Sequence, residues 1–193
     1  KYDAAQTTDN NRRHWASADG LSANAANSPE VRRVLRNRSR YEVANNSYAR
    51  GIILTLANDC IGTGPRLQML SPEATANTTV EREFARWAMA VGLPEKLRTM
   101  RVAKAEDGEA FSILTNNPAL PTPVKLDLKL VEADQVATPG FGLLAVGFTD
   151  RNSRTPPQTP QYAVDGIVFD ESGNPTEYHV LKQHPGDLRV VVM

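Results

Sequence analysis

Pro94-Glu-Lys-Leu-Arg-Thr-Met-Arg-Val-Ala-Lys-Ala-Glu-Asp-Gly-Glu-Ala-Phe-Ser-Ile-Leu-Thr115 is where this chain changes from one kind of secondary structure to another. Leu97, Met100 and Ala103 recur at helical spacing behind a proline suited to a first turn, and Asp107-Gly108 stops the pattern. Glu109 to Thr115 then reads as a strand. Periodic segments before this junction read mainly as helices, and those after it as strands.

Working upstream, Gly92 ends a helix that Thr78 or Thr79 starts, in which Val80, Phe84, Trp87 and Val91 form one stripe expected in the core. Pro65 to Leu70 reads as a short strand. Tyr48 to about Asp59 is a helix capped by Asn45-Asn46-Ser47 and closed by Gly62 and Gly64. Ile52, Ile53, Leu54, Leu56, Ala57, Cys60 and Ile61 make it apolar around most of its circumference. Such a helix is either central in the core or partly covered by a neighbouring subunit.

Ser28-Pro29-Glu30 starts another helix, running to about Ala44. Val31, Val34, Leu35 and Tyr41 share its apolar face, and Arg32, Arg33, Arg36 and Arg40 form an opposite face expected to point outward. That basic face reads as a solvated surface, a contact with an acidic neighbouring subunit, or a phosphate contact. Residues 1–27, rich in Asn, Ala, Ser and Asp, read as an N-terminal arm, either packed on a neighbour through Trp15 and His14 or frayed.

Downstream, Asn116-Asn117-Pro118 is a turn, and Val124-Lys-Leu-Asp-Leu-Lys-Leu130 alternates as a half-buried antiparallel strand does. Residues 137–161 are enriched in Pro, Gly, Thr and Gln and are expected to form a mobile loop. A hairpin follows, with strands Val164 to Phe169 and Thr176 to Lys182 around a turn at Glu171 to Pro175. Helices first and strands after, without an internal repeat, predict an α+β fold of amphipathic helices followed by antiparallel strands and a hairpin. The expected organisation is an arm over 1–27 and one domain over 28–193.

The 193 residues are 40% hydrophobic and 23% charged, which is ordinary for a soluble globular chain. The 22 basic and 22 acidic side chains cancel, so composition gives no general grip on nucleic acid. The longest apolar run, Ile52 to Ala57, is far short of the ~20 residues of a membrane span. A single cysteine, Cys60, excludes an internal disulfide and a cysteine-rich zinc site, and is expected to be buried.

Chemistry is sparse in the sequence. Gly62-Thr-Gly64 follows a helix, not a strand, and lacks a third glycine, so it is a helix stop and not a dinucleotide loop. No P-loop pattern is present. Glu106, Asp107 and Glu109 form the one dense acidic cluster and could support Mg²⁺-dependent nuclease chemistry, although alternation along a strand works against their convergence. His179 in a strand and His184 beyond its end are poorly placed to share a metal. No catalytic constellation, metal or cofactor is expected.

Four motifs in order carry a resemblance. They are Tyr41-Glu-Val-Ala-Asn-Asn-Ser-Tyr-Ala-Arg-Gly-Ile-Ile-Leu-Thr-Leu-Ala-Asn-Asp-Cys-Ile-Gly-Thr-Gly-Pro-Arg-Leu-Gln68, Glu106-Asp-Gly-Glu-Ala-Phe111, Leu130-Val-Glu-Ala-Asp-Gln135, and Asp165-Gly-Ile-Val-Phe-Asp170 leading into Tyr178-His-Val-Leu-Lys-Gln-His-Pro-Gly-Asp187. Together they resemble the portal proteins of lambda-type tailed bacteriophages.

The resemblance implies a wing-like α+β domain and a non-enzymatic subunit of a homo-oligomeric ring, usually dodecameric, at a capsid vertex. Its implied partners are further copies of itself, terminase, capsid, head-completion and tail proteins, and translocating double-stranded DNA. Its implied locations are the virion and, during assembly, the host cytoplasm. The stem and clip expected of the family are absent from these 193 residues, so the wing portion alone is not expected to close a ring. The other readings are a metal-dependent nuclease built on the acidic cluster and a DNA-binding module built on Arg32, Arg33, Arg36 and Arg40.

Overall fold

The computed structural model describes residues 5–137 and 162–187. The chain divides into two compact units, Lys1–Leu35 and Arg36–Met193. In the first, Asn11 accepts the Thr8 amide at 2.7 Å, and His14 meets Trp15 edge-on with ring centroids 4.5 Å apart. Ser22 caps the short helix α1, Ala23–Ala26, and Ser28 Oγ accepts the Val31 amide where α2, Pro29–Asn45, begins. None of the described residues of this first unit is buried.

Asn46 then ends one helix and starts the next. Its Oδ1 accepts the amides of Tyr48 and Ala49 at the head of α3, Ser47–Ile61, which Gly62 closes. The expected strand over Pro65 to Leu70 is absent: the segment is irregular, and its Met69 amide bonds the Glu81 carboxylate at 2.7 Å. An irregular segment satisfies its donors through side chains where a strand would use a ladder.

Helix α4, Ala74–Val91, begins at Ala74 instead of at Thr78 or Thr79. Both threonine hydroxyls bond carbonyls four residues back, at 3.0 Å, so they sit inside the helix and do not cap it. Gly92 closes α4 in the left-handed region, φ 62°, and also opens α5, Leu93–Asp107. Helix α5 packs against both α3 and α4.

Strands β1, Phe111–Asn116, and β2, Leu126–Val131, pair antiparallel in the register Phe111 to Val131. Val91, Leu93 and Leu120 are the centre of the apolar cluster, with Phe84, Trp87, Ala88, Leu97 and Leu128 half-buried around it. The Trp87 stripe is therefore only partly internal. Trp87 Nε1 donates to the Leu126 carbonyl at 2.8 Å, and Val80 is exposed.

The second sheet is a meander of three short strands, β3 (Tyr162–Val164), β4 (Ile167–Phe169) and β5 (Pro175–Tyr178). The strand expected over Val164 to Phe169 is thus two strands, because Asp165 (φ 49°) and Gly166 (φ 84°) make a tight turn inside it. An Asp-Gly pair with both φ positive is the two-residue hairpin whose twist suits the flanking strands. A Cβ on Gly166 would lie 2.6 Å from the Ala137 nitrogen, so backbone occupies the place of a side chain.

A 3-10 turn, Ala133–Gln135, links the two sheets through Leu181 N to Gln135 O at 2.7 Å and the bridge Val136 to Val180. Five helices and two small antiparallel sheets among the described residues make the fold α+β. The expected loop over 137–161 lies, apart from Ala137, outside the described residues.

Candidate functional site

Helix α2 is turned over relative to the sequence expectation. Arg36 is 8% exposed, whereas Val31, Leu35 and Tyr41 of its apolar face are exposed, Leu35 to 55% and Tyr41 to 65%. The outward basic face is therefore corrected at Arg36 and Arg40. Arg33 is exposed as expected, and Arg32 is half-buried.

Acidic side chains distant in sequence explain the inversion. Arg40 grips Asp107 in a fork, Nε to Oδ1 at 2.7 Å and Nη2 to Oδ2 at 2.9 Å, and its Nη1 lies 2.6 Å from Asp134 Oδ2. Arg36 Nη1 donates to Glu109 Oε1 at 2.7 Å. Its Nε lies 3.4 Å from Asp134 Oδ1, an ion-pair distance without hydrogen-bond alignment. Two guanidinium groups thus meet three carboxylates drawn from α5, the link between α5 and β1, and the 3-10 turn.

His184 completes this joint. Its Nδ1 accepts the Gly186 amide at 3.0 Å, which leaves Nε2 to face Asp134 Oδ2 and Glu132 Oε2, each at 3.5 Å.

The electrostatics follow from the contacts. Hydrogen bonding to Asp107, ahead of the opposing effect of burial, raises Arg40 above its ordinary range and keeps it charged. Burial acts to raise Asp134, but hydrogen bonding to Arg40, with Arg36 and His184 contributing, holds it below the usual carboxylate value. Glu106 is raised by burial and by the neighbouring Asp107. Elsewhere, Lys96 and then Asn117 hold Asp127 down to about 2.

A catalytic use of the acidic cluster would need carboxylates that converge and remain available. Asp107 and Glu109 are instead each engaged by an arginine, and no three metal-ligating side chains converge among the described residues. The His179 backbone pairs with Gly166 and Ala137, while the His184 side chain joins the ionic cluster. Cys60 is exposed, not buried, near the end of α3.

Two apolar surfaces remain. On α3, Tyr48 is 84% and Ile52 70% exposed, and with Gly51, Thr55 and Leu56 they form a stripe that ends at Asp59. Between α4 and β2, Leu67, Val80, Phe84, Trp87, Val124 and Leu126 line an open groove of about 520 Å³. The excess of apolar residues on α3 announced the first surface in the sequence. The second was hidden, because the same stripe that packs the core also forms the groove wall.

No described helix is long and apolar enough to cross a membrane. Over residues 8–193 the chain matches the family model of phage portal proteins, lambda family. Comparison with curated proteins finds no match.

Proposed function

The chain belongs to the lambda family of phage portal proteins, and on that premise we propose that it is a subunit of the capsid-vertex ring through which double-stranded DNA is packaged and ejected. The observation that carries this reading is the family match over 8–193, which spans both sheets and all five helices. In this reading the subunit is structural and not enzymatic. It assembles with copies of itself, docks terminase during packaging in the host cytoplasm, and afterwards meets head-completion and tail proteins in the virion.

The geometry supports a structural role in a specific way. Side chains that would otherwise suit phosphate binding or acid–base work, Arg36, Arg40, Asp107 and Glu109, are spent on one another in holding α2 to the α5–β1 junction. Formal neutrality also suits a conduit, since each neutralised phosphate would tighten DNA binding through counterion release and slow its passage.

Cryo-electron microscopy of the complete protein tests the reading, with a closed ring around an axial channel as the expected result. A complete protein that stays monomeric, or that cleaves DNA when Mg²⁺ is added, overturns it.

A further inference from the structure

We propose that the exposed α3 stripe of one copy seats in the α4–β2 groove of the next, so that successive subunits meet head to tail. This rests on the ring reading above and names surfaces that would build it. The stripe Tyr48, Ile52, Thr55, Asp59 recurs every three or four residues along one side of a helix, and α3 turns its other side to α5. The groove is concave and apolar, with Phe84, Trp87 and Val80 on one wall and Val124 and Leu126 on the other. An amphipathic helix laid into an apolar groove is a recurring mode of recognition.

Charge selects the occupant. The only side chain on the stripe that is charged at neutral pH is Asp59. At the groove's edge, Arg82 and Arg86 both approach the one lining carboxylate, Glu83, at 3.5 and 3.2 Å, so two cations share a single anion there. The stripe and the groove are thus complementary in apolar character and in charge, and one chain carries both. Two different patches that fit each other make a heterologous contact, which closes into a ring when its rotation permits.

Sedimentation velocity on the chain, run from roughly 10 μM to 1 mM, tests this through two exposed positions, Ile52→Asp and Val80→Asp. The wild type should associate increasingly with concentration. Each variant alone should lose at least about 30-fold in association constant, the scale of an interface hot spot. An equimolar mixture of the two should recover dimers and stop there, because Ile52→Asp keeps an intact groove and Val80→Asp an intact stripe. Recovery in the mixture also shows that both variants fold.

Wild-type assembly that persists in both variants, or a mixture no better than its parts, overturns the contact while leaving the ring reading standing. Lack of association in the wild type at the highest concentration overturns it too, and a ring of the complete protein seen by microscopy would keep the two failures distinguishable. Unchanged assembly of Val80→Asp with a melting temperature lowered by several degrees marks an occupant from the same chain and likewise overturns it.

Discussion

Around Leu93 the chain is held by close contact between apolar side chains from α4, α5 and the β1–β2 connection, whereas around Arg36 it is held by charges brought together from segments 67 to 98 residues apart. The first region needs only shape and the exclusion of water. The second must also repay the desolvation of five charged groups, which it does by giving most of them more than one partner. Among the described residues the main buried apolar cluster is small, Val91, Leu93 and Leu120, and α2 is tied down by its ion pairs instead. One region should be indifferent to salt and acid and the other responsive to both.

The largest expected effect tests the apolar side. Leu93→Ala should cost about 3 kcal/mol in urea titration, with little change between low and high salt. A cost below ~1 kcal/mol would mean that the cluster does not carry the helical layer. Trp87→Ala should cost slightly less, about 2–3 kcal/mol, because the ring is only half-buried and also loses its bond to the Leu126 carbonyl.

On the charged side, Asp107→Asn should cost about 2 kcal/mol, since Arg40 loses half of its fork yet keeps Asp134. A double-mutant cycle with Arg40→Met sharpens the comparison: strong coupling is expected, and additivity would show that the joint holds nothing.

The smallest effects concern pH and have opposite signs. Asp134 and Asp127 bind protons less readily in the folded chain than in the unfolded one. Their stabilisation is therefore present above the ordinary value of 3.8 and lost as pH falls below it, toward about 2 for Asp127. Glu106 is raised, so its contribution favours folding at low pH and disappears as pH climbs past its folded value. Glu106→Gln should accordingly raise the melting temperature slightly at pH 7 and not at pH 3.5. A drop at pH 7 would show that this carboxylate helps the joint and does not strain it.

Local signals carried much of this architecture. Ser28-Pro29, Asn46, Gly62, Gly92 and Gly108 mark helix limits because capping and left-handed closure depend on residues within a few positions. The inversion of α2 was not legible, because which face of a helix turns inward is decided by partners distant in sequence. Arg36 and Arg40 could be placed only once Asp107, Glu109 and Asp134 were known to converge. The turn at Asp165-Gly166 was missed, although that dipeptide is a strong short-range hairpin signal, because three-residue strands are too short to show their alternation on either side of it. The groove illustrates a different limit. Periodicity shows which residues share a stripe, but the height at which a neighbouring strand crosses that stripe sets how much of it stays open.

Gly92 is at once the last cap of α4 and the first of α5, with no residue to spare between them. Mechanically this is an elbow without slack: a push along one helix reaches the other through a single pivot and is not absorbed in an intervening loop. If α4 carries load from a neighbour, α5 must turn with it, and because α5 ends at Asp107 the motion arrives directly at the arginines of α2. A chain jointed in this way carries strain from α4 through α5 to the charged joint at α2, with no flexible segment between to dissipate it.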